Sequence, residues 1–121
     1  MARILIVDDE VNVRMLYSEE LESEGYETLL AENVSEAMAA VENDSPDLII
    51  LDIKLGDESG IDALMKIVER DKHLPVILNS AYSVYKDNFQ TWAADAYIVK
   101  SADLGPLKKK IGELLGGKGQ A

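Results

Sequence analysis

The sequence of 121 residues predicts an α/β fold, a doubly wound sheet of five parallel strands with helices on both faces. Two observations indicate this fold. Five short apolar segments alternate with five segments of helical periodicity, which is typical of parallel strands joined by right-handed crossovers. Polar side chains follow most of the apolar segments directly, and the carboxyl ends of parallel strands meet at one rim, where such folds bind ligands. We therefore expect a single domain with its functional groups at that rim.

The predicted strands are short runs of apolar, often β-branched residues. The runs 4–7 and Leu48–Leu51 are apolar throughout, which indicates strands buried on both faces. The less apolar run Glu27–Ala31 is predicted at an edge of the sheet. The five strands are predicted at Arg3–Val7, Glu27–Ala31, Leu48–Leu51, 76–78 and Ala96–Val99. The common order for such a sheet is 2-1-3-4-5, the flavodoxin-like arrangement, with its switch point between strands one and three.

The predicted helices are identified by apolar residues at intervals of three and four. In the first helix, Leu16 and Tyr17 are among the residues expected to face the core, and Gly25 ends the helix. Asn33 is the expected N-cap of the second helix. The helices are predicted over residues 10 or 11 to 24, 34–44, 61–71, 84–94, and from 104–106 to 115. One domain therefore covers residues 1–115, and the glycine-rich residues 116–121 form a flexible tail.

Charge and composition restrict the partners. The 12 basic and 23 acidic residues give a net charge of −11, which disfavours nucleic acid and anionic membranes as direct ligands and suits a cation or a basic protein surface. The absence of cysteine excludes disulfides and thiolate metal sites. No apolar run reaches the length of a membrane span, and no signal peptide precedes the first strand, so a cytoplasmic protein is expected.

Three carboxylates are predicted to converge at the rim of the sheet. Asp8 and Asp9 follow the first strand and Asp52 follows the third, and these strands are neighbours in the predicted order. Carboxylates at close range cannot all stay ionised without a counter-charge, and Mg²⁺, which prefers oxygen ligands, supplies one. Taken singly, Asp8 could cap a helix and Asp52 could be a turn residue. Their combination favours a metal site.

Further motifs follow in order along the chain. Gly60 stands eight residues after Asp52, Ser80 and Ala81 follow the fourth strand, and Lys100 follows the fifth. With the acidic pair and Asp52, these positions give residues 3–115 a pattern that resembles the receiver domain of bacterial two-component response regulators, including the single-domain chemotaxis and sporulation types. The resemblance implies a signalling domain that takes a phosphoryl group from a histidine kinase or a phosphotransfer protein.

The resemblance also implies a magnesium site. Asp9 and Asp52 would ligate Mg²⁺ directly together with the backbone carbonyl of Lys54, and Asp8 would act largely through water. Mg²⁺ is therefore the expected cofactor.

The remaining implied roles concern the phosphoryl group. Asp52 would accept it, Lys100 would neutralise its oxygens together with the metal, and Ser80 would donate a hydrogen bond to one of them. Ser80 and Tyr97 would then form a switch that alters the surface of the fourth helix, fifth strand and fifth helix, where a downstream partner would dock.

Two positions depart from the family pattern. Ser101 follows Lys100 where the family usually has a proline after a cis bond, and a cis bond before serine costs about 2.5–4 kcal/mol instead of about 0.5–1. We therefore expect this loop to take another path. Gly56 stands where a proline is frequent, so the loop after Asp52 is expected to be looser.

Three functions are weighed, and a phosphorylation-switched signalling module is favoured. It would not be an enzyme in the usual sense, but a phosphoacceptor that assists its own phosphorylation and dephosphorylation. A Mg²⁺-dependent phosphohydrolase would need a second aspartate where Lys54 stands. A constitutive docking domain without phosphotransfer is the main alternative, and the intact aspartates, Ser80 and Lys100 argue against it. No output domain follows, which suits docking, phosphate relay, or a receiver trimmed from a longer regulator.

Overall fold

The computed structural model of the chain describes residues 2–81 and 93–116. The strands in that part are β1 (Arg3–Val7), β2 (Glu27–Ala31), β3 (Leu48–Leu51), β4 (Lys54–Leu55), β5 (Glu58–Ser59), β6 (Val76–Ser80) and β7 (Ala96–Val99). The helices are α1 (Val11–Ser23), α2 (Val34–Asp44), α3 (Gly60–Arg70) and α4 (Gly105–Gly116). None of these helices is both long enough and apolar enough to cross a membrane.

The main sheet contains five parallel strands in the order β2-β1-β3-β6-β7. Counted by the five predicted strands, this is the order 2-1-3-4-5, so the predicted fold and the edge position of β2 are confirmed. In the register between β1 and β3, Val7 lies opposite Leu51, and these two strands therefore end side by side. The residues that follow them leave the sheet at the same place.

The sheet separates two apolar clusters, because alternate side chains of a strand point to opposite faces. Leu5 and Val7 of β1 belong to the cluster that α2 and α3 cover, whereas Ile4 and Ile6 belong to the cluster that α1 and α4 cover. All four of these side chains are buried. Helices therefore cover both faces of the sheet, as predicted.

The predicted inward face of α1 is wrong at Leu16, which is 47% exposed. Tyr17 and Leu21 lie one helical turn apart and form the buried stripe of α1. Leu16 is rotated by about 100° from Tyr17 and therefore points away from that stripe. It lines a surface groove beside Leu104 and Lys108.

Several element boundaries also differ from the prediction. The helix α1 ends at Ser23 and α3 covers Gly60–Arg70, in each case one residue earlier than predicted. The strand β6 continues to Ser80, because its pairing with β7 extends to Ser80 opposite Val99. The helix α4 continues to Gly116, which the sequence places in the tail. Residues 84–92 of the predicted fourth helix and residues 117–121 of the predicted tail lie outside the described residues.

The chain between β3 and α3 forms a small hairpin where the sequence predicts a loose loop. Its strands β4 and β5 pair antiparallel, with Lys54 opposite Ser59. Gly56 in the turn has a φ of 61°, a left-handed conformation that glycine adopts without strain. The Glu58 carboxylate accepts a hydrogen bond of 3.0 Å from the Val34 N–H, which ties the hairpin to the start of α2.

Gly60 begins α3 at the point where this helix touches the backbone around Asp52. Its N–H donates to the carbonyl of Ile53, and a Cβ at Gly60 would collide with the carbonyl oxygen of Asp52. The Ser59 hydroxyl caps the helix by accepting a hydrogen bond of 3.2 Å from the Ile61 N–H. The absence of a side chain at Gly60 thus lets α3 start directly beside Asp52.

We predict that Gly60→Ala lowers the free energy of unfolding by roughly 2–3 kcal/mol, because the new methyl group overlaps backbone atoms that cannot move independently. Gly112→Ala is the matched control. A Cβ at Gly112, inside α4, meets nothing within 4 Å, so alanine there should raise the free energy of unfolding by about 0.5–1 kcal/mol. Urea unfolding measures both values, and equal effects of the two substitutions would contradict the close approach at Gly60.

Candidate functional site

Two buried aspartates stand where β1 and β3 end. The Asp8 N–H donates to the Ala31 carbonyl at 3.1 Å, and the Asp52 N–H donates to the Val7 carbonyl at 3.0 Å, so the sheet hydrogen bonds fix both backbones. Asp8 is 2% exposed and Asp52 is 6% exposed, whereas Asp9 is exposed. The sheet order therefore brings the aspartates of two strands to one place, as the sequence predicts.

Lys100 supplies the positive charge between these carboxylates. Its Nζ lies 2.7 Å from Asp8 Oδ2 and 3.0 Å from Asp52 Oδ2. The Lys100 N–H donates to the Ser80 carbonyl at 2.7 Å, which places the start of the side chain at the rim. The peptide bond from Lys100 to Ser101 is trans. Lys100 thus reaches the aspartates although the expected proline is missing.

Burial and the ion pairs act against each other at this site. Burial raises the pKa of the Asp52 carboxyl, and the hydrogen bond from Lys100 opposes this effect only in part. Burial by itself lowers the pKa of the Lys100 ammonium, but the hydrogen bonds to Asp8 and Asp52 outweigh burial and raise it overall. Lys100 therefore stays charged at neutral pH, and the ionised form of Asp52 depends on nearby cations.

Asp9 is held by the hairpin. Its Oδ2 accepts a hydrogen bond of 2.9 Å from the Gly56 N–H. A proline, which the family often has at this position, lacks the N–H and could not make this bond. Asp8 Oδ1 accepts a similar bond of 2.9 Å from the Glu10 N–H, and Arg14 Nη1 donates to the Asp8 carbonyl at 2.6 Å. Both carboxylates of the acidic pair are thus oriented by backbone donors.

The donor atoms at the rim fit a hard cation. Carboxylate oxygens of Asp8, Asp9 and Glu10 all lie within 4.8 Å of one another, and Mg²⁺ prefers such all-oxygen surroundings. Asp9 and Glu10 border an open cleft of about 220 Å³. Its lining residues are Asp9, Glu10, Asp52, Lys54, Gly56, Ala81 and Lys100. The sequence prediction omitted Glu10 from the site, although its place directly after the acidic pair was a usable signal.

The other predicted site residues lie at different distances from the cleft. Lys54 has an exposed side chain at the cleft, and its N–H donates to Asp52 Oδ1 at 3.3 Å. Ser80 is 1% exposed at the end of β6, and its neighbour Ala81 lines the cleft. Tyr97 is partly buried on β7, opposite Leu78, and packs against the cluster beneath α2 and α3. Their roles in metal binding and switching stay predictions.

A buried polar pair below the rim was missed by the sequence analysis. The Tyr17 hydroxyl donates to Asn79 Oδ1 at 2.7 Å, and Asn79 Nδ2 donates to the Ile98 carbonyl at 3.0 Å. Burial raises the pKa of the Tyr17 hydroxyl, and the charges of Lys100 and Asp8 also act on it, in opposite directions. The available signal was Asn79 itself, a polar residue directly after an apolar strand.

Comparisons with known proteins point to one family. A family model of the response regulator receiver domain matches residues 4–112. The chain is similar to the response regulator TrrA of Thermotoga maritima, solved in complex with Mg²⁺-BeF, with 45% identity, coverage of 94% of this chain and 99% of that one, and a TM-score of 0.91. In a second structure, TrrA is bound to the histidine kinase ThkA, with 45% identity, coverage of 95% and 99%, and a TM-score of 0.89.

Two curated relatives are longer than the aligned region. The sporulation initiation phosphotransferase F of Bacillus subtilis is 39% identical over 80 residues, which are 66% of this chain and 64% of that protein. The regulatory protein AtoC of Escherichia coli is 36% identical over 107 residues, which are 87% of this chain and 23% of that protein. The chain therefore spans less than two thirds of these two relatives.

We predict that Lys100→Met lowers the free energy of unfolding by roughly 2–4 kcal/mol at about pH 7.5, because it leaves two buried carboxylates without their counter-charge. The loss should shrink at about pH 4.5. A carboxylate whose pKa is raised by folding lowers the free energy of unfolding only when the pH is above its pKa in the unfolded chain, which is about 4. This destabilisation disappears as the pH falls.

Urea unfolding at the two pH values measures this difference. Lys109→Met is the control, since Lys109 is exposed on α4, and it should change the free energy of unfolding by less than about 0.5 kcal/mol. A loss in Lys100→Met that is equal at both pH values would contradict the electrostatic role.

Proposed function

The chain belongs to the response regulator receiver domain family, and on that premise we propose that it is a phosphoryl-accepting switch of two-component signalling, with Asp52 as the phosphoacceptor. The proposed donor is a phosphohistidine on a histidine kinase or a phosphotransfer protein. One observation carries the assignment of Asp52: its buried carboxylate lies 3.0 Å from Lys100 Nζ and lines a cleft that further acidic residues border. No specific observation favours the docking-only alternative.

In the proposed reaction, a carboxylate oxygen of Asp52 forms the bond to phosphorus while the bond from phosphorus to the donor's leaving atom breaks. The hydrogen bond that the Asp52 N–H donates to the Val7 carbonyl and the packing of Gly60 hold Asp52 in place. Lys100 stays charged and lies where it can meet the transferred oxygens. Transfer of this kind depends on positioning and charge stabilisation more than on covalent assistance.

The proposed cofactor is Mg²⁺, held by Asp9 and Asp52 with the Lys54 carbonyl, and by Asp8 through water. The oxygens of Asp8, Asp9 and Glu10 support this assignment, and Glu10 is added to the set by its position. When bound, the metal would neutralise charge on the carboxylates and on the incoming phosphoryl group.

The proposed donor protein would approach the cleft from the side of α1. Val11 and Met15, one turn apart at the start of this helix, are 54% and 61% exposed, and α1 begins directly after the acidic residues. TrrA, which resembles this chain, has been solved with a histidine kinase. The strongly acidic surface suits a partner with basic groups around its apolar contact.

We further propose that Ser80 and Tyr97 carry the signal away from Asp52. A phosphoryl group adds strong acceptor oxygens at the end of β3, beside the end of β6. Movement of the Ser80 hydroxyl toward them would free space for Tyr97 on the neighbouring strand β7. The downstream partner would then read the changed surface around β7 and α4. The helix that precedes β7 in the prediction lies outside the described residues.

We predict that acetyl phosphate with Mg²⁺ adds one phosphoryl group to the wild-type chain and that Asp52→Asn reduces incorporation by at least about 100-fold, because the nucleophilic carboxylate is gone. Intact-mass spectrometry measures the product. Asp62→Asn, an exposed aspartate in the first turn of α3, is the control and should be modified like the wild type. Full incorporation in Asp52→Asn would refute Asp52 as the phosphoacceptor. Equal incorporation after the metal is chelated would refute Mg²⁺ as the cofactor.

We predict that Mg²⁺ raises the free energy of unfolding by about 2.7 kcal/mol at a concentration 100 times its dissociation constant, because it binds only the folded site. Asp9→Asn should lose most of this gain, since it removes a charged ligand. Asp57→Asn, in the same hairpin but outside the cleft, should keep it. Thermal and urea unfolding with and without Mg²⁺ provide the values. An unchanged metal effect in Asp9→Asn would exclude Asp9 as a ligand.

A further inference from the structure

A buried chain of hydrogen bonds below the cleft has no part in the proposed phosphoryl transfer. It runs from the Tyr17 hydroxyl through the Asn79 carboxamide to the Ile98 carbonyl, and we call it the buried polar chain. Tyr17 is 4% exposed and Asn79 is 2% exposed. The polar chain thus joins three separate elements, α1, β6 and β7, through two buried side chains and the carbonyl of the partly buried Ile98.

Packing alone does not call for polar groups at these two positions. Tyr17 packs within the cluster that α1 and α4 cover, among side chains such as Ile77 and Ile111. Removing polar groups from water costs free energy, and their hydrogen bonds inside the protein do no more than offset that cost. An apolar pair of the same shape can therefore be equally stable. We therefore expect Tyr17 and Asn79 to have a role other than packing, and this role is the benefit that their hydrogen bonds provide.

The position of the buried polar chain indicates that benefit. Ile98 lies two residues before Lys100 on β7, the last strand of the described sheet. Asn79 directly precedes Ser80, whose carbonyl accepts the Lys100 N–H at 2.7 Å. Two neighbouring residues of β6 therefore hold the end of β7, one through its side chain and one through its backbone. After Lys100 the chain continues with Ser101, which lacks the rigid ring of the proline usual in the family.

We propose that Tyr17 and Asn79 are positioning residues that fix the end of β7 so that Lys100 Nζ meets the phosphoryl group on Asp52. This inference rests on the proposed function. Lys100 has a long side chain with several rotatable bonds. Its ammonium can be held at a defined position beside the phosphoryl group only if its backbone is anchored. Because Lys100 pairs with Asp8 and Asp52, which are proposed to hold the metal, loosening its anchor should weaken binding of a phosphoryl group without weakening the binding of Mg²⁺.

The test uses Tyr17→Phe, Asn79→Leu and the double variant, with beryllofluoride as the phosphoryl mimic at saturating Mg²⁺. Each single variant should unfold at a lower urea concentration than the wild type, since it leaves a buried group without its partner, and the double variant should regain part of that loss. All three should bind beryllofluoride about 10-fold more weakly than the wild type, a loss of about 1.4 kcal/mol. Calorimetric titration with Mg²⁺ alone should give dissociation constants no more than about 2-fold higher than that of the wild type.

Ile111→Val is the matched control. Ile111 is buried in the same cluster, and its truncation should lower the urea concentration at which the chain unfolds without touching the buried polar chain. Beryllofluoride affinity should be unchanged in this variant.

Wild-type affinity in the double variant would overturn the positioning role, as would an equal weakening in Ile111→Val. If the double variant fails to fold, Tyr17→Phe alone decides, because it removes only one hydroxyl group. A wild-type chain that binds no beryllofluoride would overturn the proposed function itself.

Discussion

The ammonium of Lys100, placed between the carboxylates of Asp8 and Asp52, is the interaction on which the rim of this sheet depends. Two acidic side chains are buried at the ends of neighbouring strands, and burial of like charges is unfavourable unless a cation accompanies them. The cation comes from β7, two strands away from β3 in the sheet. The sheet order therefore has an electrostatic consequence, because it lets three strands contribute to one ion-pair network.

The same network sets the conditions for chemistry at Asp52. Burial raises the pKa of the Asp52 carboxyl, so its ionised form depends on a cation beside it. The surrounding backbone limits where that cation can lie. Gly60 brings α3 against the Asp52 carbonyl on one side, and the hairpin reaches Asp9 through Gly56 on the other. Much of the geometry around the acidic side chains is thus determined by main-chain groups.

The sequence predicted the sheet, its order and the meeting of Asp8 with Asp52, because continuous apolar strands and the polar residues that follow them are local patterns. It did not predict the bond between Gly56 and Asp9 or the contact between Tyr17 and Asn79. These pairs join residues 47 and 62 positions apart, and no local pattern specifies which polar groups will meet. The error at Leu16 has another cause, since two adjacent apolar residues of a helix cannot both lie at the centre of its buried face.

The hydrogen bond between Asp9 and Gly56 links the proposed binding of a metal at Asp9 to the stability of the hairpin. The loop after Asp52 is held by the same carboxylate that is proposed to bind the metal. Whatever stabilises the closed hairpin therefore changes the affinity of that carboxylate for a cation, and a bound cation changes the stability of the hairpin by the same free energy. Since Glu58 also connects the hairpin to the N-terminus of α2, this coupling extends to a helix that does not line the cleft.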